Sequence, residues 1–319
     1  MEEEVCAPNI EDINNSCIDL KTLIMMVKAY NKYVIENNMK EKIILLRQDL
    51  EIRDPTKYKK YIVDNFTERF GDKCTNQRCW TKQEFMKYLD KTITDVLENE
   101  TFAPNGPQGK FEWLNSLHIN DTLNQFMNIY PEFMFFGAVP LDFEKISDIG
   151  KIDFDELKKI GKTKIGMIIN LDTHDKDGSH WVSLFADIEK GGVYFFDSVG
   201  KPPKKEIAFF MNKIAEYCEK SGIQNVRIEY NDEQNQYGNS ECGVYSISFI
   251  LRMLKFNSFE EIIKHPVSDD LVNVCRPFYF NDTNIKKIPA KYTKQQIIDS
   301  CGLTQTVKSL DLKRFVMEE

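Results

Sequence analysis

The stretch Gln236-Tyr-Gly-Asn-Ser-Glu-Cys-Gly-Val-Tyr-Ser-Ile-Ser-Phe-Ile-Leu251 decides how the rest of the chain is read. Its lead-in, residues 231–241, is polar and carries Gly238, the composition of a loop. Its second half is apolar, with Val244, Ile247, Ile250 and Leu251 at helical spacing. Cys242 therefore stands where a loop becomes a helix. A free thiol is only about 3% thiolate at neutral pH. A helix N-terminus, with unpaired N–H groups and the positive end of the dipole, lowers a cysteine pKa by about one to five units. A drop of two units raises the thiolate fraction roughly 25-fold. Gly243 is expected to leave the backbone beside the sulfur open to an approaching carbonyl. An isolated Cys-Gly would ordinarily be no more than the start of a buried helix; the upstream sequence changes that reading.

Working outward, Ile165-Gly-Met-Ile-Ile-Asn-Leu171 reads as an apolar strand, followed by a polar loop over 172–179. His180-Trp-Val-Ser-Leu-Phe-Ala-Asp187 is the next strand, Glu189-Lys-Gly-Gly192 its turn, and Val193-Tyr-Phe-Phe-Asp197 its hairpin partner. Residues 207–220 read as a helix, 226–230 as a short strand, and a further helix opens at Trp113 with Ile119, Leu123, Phe126 and Met127 on one face. Strands clustered in the middle and flanked by helices indicate an α+β layered domain.

His180 begins one strand and Asp197, 17 residues on, ends its hairpin partner, so both belong to the same sheet edge. A carboxylate accepting from one imidazole nitrogen sets the tautomer and leaves the other nitrogen to a thiol. Gln236, six residues before Cys242, can supply a side-chain amide that acts with the Cys242 N–H on a developing oxyanion. Each residue alone is ordinary; the ordered set is not. His174 lies among loop formers and reads as solvated. His118 and His265 read as structural, and Gly191-Gly192 as a turn.

The 319 residues suffice for two domains, and 42% hydrophobic with 29% charged residues is the balance of a globular protein. A net charge of −8 argues against a broad grip on nucleic acid. No apolar run reaches ~18 residues and Met-Glu-Glu-Glu does not open a signal peptide, so no membrane role and a cytoplasmic location are expected. The eight cysteines (6, 17, 74, 79, 218, 242, 275 and 301) lack a disulfide-framework rhythm, which suggests a reducing setting. The Cys74/Cys79 pair has no partner pair or nearby His to complete a metal site, and no metal or cofactor is expected.

The first hundred residues are helical in pattern: an amphipathic run over 17–38, Asp54-Pro55 as cap and first turn of a helix reaching Phe70, and Thr81-Lys-Gln-Glu84 as a capping box for a stripe of Phe85, Tyr88, Leu89, Ile93, Val96 and Leu97. Ala103-Pro-Asn-Gly-Pro-Gln-Gly109 breaks all periodicity. The expected organisation is an all-α arm over 1–105, the α+β domain over 106–280, and an extension of unassigned role over 281–319.

The set His180-Trp181, Asp197, Gln236 and Cys242-Gly243 resembles the signature of the SUMO-protease/adenovirus-endopeptidase superfamily (clan CE) of cysteine peptidases, and Trp113-Leu114-Asn115 resembles the motif that opens its catalytic domain. The likeness covers roughly residues 113–253. It implies a central mixed sheet flanked by helices, with Cys242 as nucleophile, His180 as base, Asp197 as its orienter and Gln236 as oxyanion donor. It also implies that Trp113 and Trp181 line a narrow groove admitting two glycines before the scissile bond, where flat indoles close over a backbone without side chains. Many SUMO-protease members have Asp before the cysteine; here it is Glu241. That form, with the helical arm, is similar to the proteases of large DNA viruses such as African swine fever virus, which implies cleavage of viral core polyproteins after Gly-Gly-Xaa sequences. The same chemistry would serve a deconjugating enzyme for SUMO or another ubiquitin-like modifier. Two readings from other classes are an effector acyltransferase, for which no basic donor-binding stretch is evident, and a non-catalytic binding module, which the four competent side chains disfavour.

Overall fold

The computed structural model describes residues 6–8, 16–40, 43–107, 109, 111–281, 287–289, 291–303 and 316–318. The chain forms two compact units, Met1–Pro104 and Asn105–Glu319. In the first, the helix Leu20–Glu36 is capped by Asp19, whose side chain accepts from the Thr22 N–H. The helix Pro55–Phe70 is capped by Asp54, which accepts from the Lys57 N–H, with Pro55 in the first turn where no donor is needed. Their apolar stripes meet around Tyr30, Phe66, Trp80 and Phe85, all buried. The expected capping box at Thr81 is not made: Thr81 lies inside a 3-10 helix, Gln77–Lys82, and its hydroxyl donates to the Arg78 carbonyl. A second 3-10 turn, Glu84–Tyr88, buries Phe85, and the α-helix starts only at Lys91, capped by Asp90. The spacing suggests a single helix because 3-10 and α spacings look alike over so few residues.

The second unit is built on a five-stranded sheet with strands in sequence order: β1 Phe133–Pro140, β2 Lys164–Asn170, β3 Trp181–Asp187, β4 Gly192–Phe196 and β5 Arg227–Tyr230. β1 runs parallel to β2 and β5 parallel to β4, while β2–β3 and β3–β4 are antiparallel. β1 was not foreseen: Phe-Met-Phe-Phe-Gly-Ala-Val-Pro has no alternation, and its ladder shifts register between Phe135 and Ala138, where Gly137 takes φ +98°. The helix that leads into β1, Ser116–Ile129, begins at Ser116 with Asn115 as cap, so Trp113 lies in the segment before it.

Alternation along β3 splits the core in two. Trp181 and Phe185 face the helix Cys242–Phe256, together with Phe133, Phe135, Ile168, Tyr194 and Phe196. Val182, Leu184 and Ala186 face the helix Lys205–Lys220, through Ile207, Phe210, Met211 and Ile214. A sheet covered on both faces needs strands that are apolar throughout, and β3 and β4 are buried along their whole length. Gly166 is required on the Cys242 side: a Cβ there would lie 2.7 Å from the Phe133 ring and 3.3 Å from Ile250.

The described part of 281–319 is not an appendage. Ile297, Ile298, Cys301 and Leu303 are buried in the same core as the Cys242 helix, and Cys301 is bonded to Cys275. Cys6–Cys17 and Cys74–Cys79 are also disulfides, leaving Cys218 and Cys242 free. The cysteines expected to lack a disulfide framework therefore form three bridges. Their spacings of 11, 5 and 26 residues share no repeat that would mark a framework. Among the described residues, no helix is long and apolar enough to cross a membrane.

Closing a loop of 26 residues restricts the unfolded chain by about 3.5 kcal/mol in the chain-entropy account. Replacing Cys275 and Cys301 together by Ser is expected to lower the unfolding free energy by about 2–4 kcal/mol in urea titrations without reductant. An unchanged midpoint would mean the bridge does not contribute.

Candidate active site

The β3–β4 register sets the first two residues. Ser183 pairs with Phe196, so His180, just before β3, and Asp197, just after β4, come to the same end of the hairpin. There His180 Nε2 lies 2.6 Å from Asp197 Oδ1. Asp197 is 1% exposed, and its Oδ1 also accepts from the Val199 N–H at 3.0 Å. Asn231 holds its backbone from the other side, accepting from the Asp197 N–H at 2.8 Å and donating to its carbonyl at 2.7 Å. An amide side chain thus extends the β4–β5 ladder beyond its last backbone pair, Phe195 with Tyr230.

Cys242 is the first residue of its helix, as the loop-to-helix reading anticipated, and Glu241 is the cap. With Nε2 engaged by Asp197, Nδ1 of His180 is the nitrogen left for the thiol. Burial disfavours the charged imidazole, but the hydrogen bonds to Asp197 and then to Cys242 outweigh it and push the His180 pKa up to about 9. The imidazole is thus shared between a buried carboxylate and the thiol at the helix start.

Gln236 is 4% exposed, its Oε1 accepting from the Ser198 hydroxyl at 2.6 Å and its Nε2 donating to the Gly238 carbonyl at 3.0 Å. The loop that follows is held from below. Asp269 Oδ2 accepts from the Tyr237 and Gly238 N–H groups at 2.8 and 2.9 Å. Buried Arg276 donates to the carbonyls of Ser240 at 3.0 Å and Glu112 at 2.9 Å, and to Asn273 Oδ1 at 2.8 Å. Asn273 in turn donates to Glu241 Oε1 at 3.1 Å. Burial lowers the Arg276 pKa to about 10 against the opposing charges of Glu241, Cys242 and Glu112. None of Ser198, Asn231, Asp269, Asn273 and Arg276 was singled out in the sequence. Asn231 and Ser198 flank residues that were, but nothing local marks Arg276, 34 residues beyond the cysteine.

Gly243 corrects an expectation. Its Cα face is not open: a Cβ there would meet the Leu114 side chain at 3.0–3.1 Å, so the glycine admits Leu114, which seats the segment after Trp113 against the Cys242 helix. Trp181 is 7% exposed, with its indole N–H donating to the Leu114 carbonyl at 2.8 Å, whereas Trp113 is 49% exposed. His174 is exposed as read, yet its Nδ1 lies 2.6 Å from Asp142 Oδ2, away from this set. His118 has the structural role expected, closing a capping box with Asn115.

The arrangement is that of a thiol hydrolase, and the comparisons give it a family. Residues 160–288 match the family described as the Ulp1 protease family, C-terminal catalytic domain. A protein of Acanthamoeba polyphaga mimivirus that bears the name "putative thiol protease" is 34% identical over 299 residues, 92% of this chain and 97% of that protein. A SUMO-1 cysteine protease of African swine fever virus is 25% identical over 227 residues, 65% of this chain and 83% of that one. The crystal structure of the African swine fever virus protease superposes with a TM-score of 0.58 at 21% identity, covering 71% of this chain and 90% of that one, and so shares the fold. The chain belongs to the Ulp1 family of cysteine peptidases.

The stability His180 draws from its raised pKa is fully present below its unfolded value of about 6.5 and is lost as pH rises through about 9. Asp197→Asn is expected to bring the imidazole titration down by a unit or more, read from its ring C–H shifts by NMR, and to flatten that pH dependence. An unmoved titration would mean Asp197 does not hold the ring.

Proposed function

We propose that the protein is a thiol endopeptidase that cleaves after Gly-Gly sequences in viral structural polyproteins during virion maturation. The observation that carries the chemistry is the series from the Cys242 helix start through His180 to Asp197, with His180 Nε2 2.6 Å from the carboxylate. Cys242 is the nucleophile: its thiolate attacks the glycyl carbonyl carbon and forms a thioester. His180 takes the thiol proton and then delivers it to the leaving amine. In the second half of the reaction it draws a proton from water, whose oxygen attacks the thioester carbonyl and frees Cys242. Asp197 orients and charges the imidazole but does not transfer the proton. Gln236 and the Cys242 N–H hold the oxyanion.

Half-exposed Trp113, beside a Leu114–Trp181 contact that fixes the second indole, supplies flat apolar surface suited to a substrate backbone without side chains. The viral setting rests on the mimivirus relative, matched over nearly its whole length. A virion also suits the three disulfides better than a reducing cytosol does. The name of the African swine fever virus relative as a SUMO-1 cysteine protease favours a second reading, release of a ubiquitin-like modifier.

Cys242→Ala is expected to abolish turnover with the fold intact by circular dichroism, and Gln236→Ala to lower kcat roughly 10²–10³-fold. His180→Ala should cost more than Asp197→Ala, because only His180 moves the proton; equal losses would contradict these roles. The substrate is decided by parallel assays on Gly-Gly-Xaa peptides and on SUMO and ubiquitin adducts. Rapid turnover of the adducts alone would replace polyprotein processing with deconjugation.

A further inference from the structure

We propose that Ser198 is a positioning residue that holds the Gln236 amide in the rotation that turns its nitrogen to the reacting carbonyl, a role that rests on Gln236 being the oxyanion donor. A side-chain amide can stabilise an oxyanion only with its nitrogen, and rotation by 180° about its terminal bond would put a repelling oxygen in the same place. One contact decides the rotation here and a second holds it. The Gly238 carbonyl can only accept, so Nε2 must face it, at 3.0 Å. Oε1 then faces Ser198, whose hydroxyl donates at 2.6 Å. One Nε2 hydrogen is used on Gly238, and the other serves the incoming oxygen.

Ser198 holds the same residue by its backbone as well. Its carbonyl accepts from the N–H groups of Asn235 and Gln236, both at 2.8 Å. Ser198 and Gln236 are 1% and 4% exposed, so water does not compete for either group. The neighbouring Asp197 orients His180. Two consecutive residues leaving β4 thus set the proton-transfer group and the oxyanion donor, which ties both to one strand end.

The test is a double-mutant cycle on the full chain with a Gly-Gly-aminomethylcoumarin peptide, together with the NMR signals of the Gln236 side-chain NH2. Ser198→Ala is expected to lower kcat about 10-fold with KM changed by less than about twofold, and Ser198→Thr, which keeps a hydroxyl, to recover much of the loss. In a Gln236→Ala background, Ser198→Ala should cost less than about twofold more, because the group it positions is gone. The Gln236 NH2 pair should be ordered in the wild type and mobile in Ser198→Ala. Full multiplication of the two losses, or an amide equally ordered without the hydroxyl, would overturn the proposal; the amide signals report this whether or not the peptide is cut. A Gln236→Ala enzyme as fast as the wild type would instead sink the oxyanion assignment, and with it the catalytic half of the proposal.

Discussion

The site depends on the register of β3 against β4. Both strands are buried on both faces, so polarity alone would not tell one register from the next. The turn between them supplies the choice. Asp187 Oδ1 accepts from the Glu189 and Lys190 N–H groups at 3.1 and 2.9 Å, and the Gly191 N–H returns to the Asp187 carbonyl at 2.9 Å. Gly191 takes φ +72°, and a Cβ there would lie 2.8 Å from Ile223, so no other residue closes the turn without strain. A slip of one residue would turn Asp197 to the opposite face and separate it from His180. A hairpin turn at the far end of two strands therefore governs a hydrogen bond at the near end.

Around that pair the chain gives up apolar packing. Asp197, Ser198, Asn231, Gln236, Glu241, Asn273 and Arg276 are all buried. Burying such groups is destabilising unless each finds its partners, and here each does. Arg276 is the costliest, a guanidinium without a directly bonded carboxylate, whose donors go to two carbonyls and an amide oxygen. Its acceptors lie 164 and 36 residues away in sequence, which is how the segment before Trp113 and the loop before Cys242 are locked to one group.

How legible this was follows from the range of each interaction. The hairpin, its turn glycines and the Cys242 helix were readable because alternation, turn residues and helical spacing are local signals. The His180–Asp197 pairing was readable because a hairpin converts sequence distance into spatial distance by a simple rule. β1 escaped because a bulged, uniformly apolar strand has no period. Gly243 was misjudged because its neighbour, Leu114, comes from a segment more than a hundred residues upstream. The contact of Arg276 with Glu112 escaped for the same reason, at a separation of 164 residues, while the disulfides close short loops whose irregular spacings carry no common pattern.

The two free thiols show why exposure cannot stand for reactivity. Cys218 is 0% and Cys242 3% exposed, so burial alone would make both inert. Cys218 sits in the apolar core between the sheet and the helix Lys205–Lys220, next to the Ile188 carbonyl, and burial, helped by the charge of Asp187, pushes its pKa up against the pull of Lys158. Cys242 instead meets an imidazole whose charge is held by Asp197, at a helix start whose dipole favours an anion. What distinguishes the surroundings of the two thiols is a single imidazole: His180 stands just before β3, on the Cys242 side, whereas Cys218 lies at the other end of the same strand, against the Ile188 carbonyl.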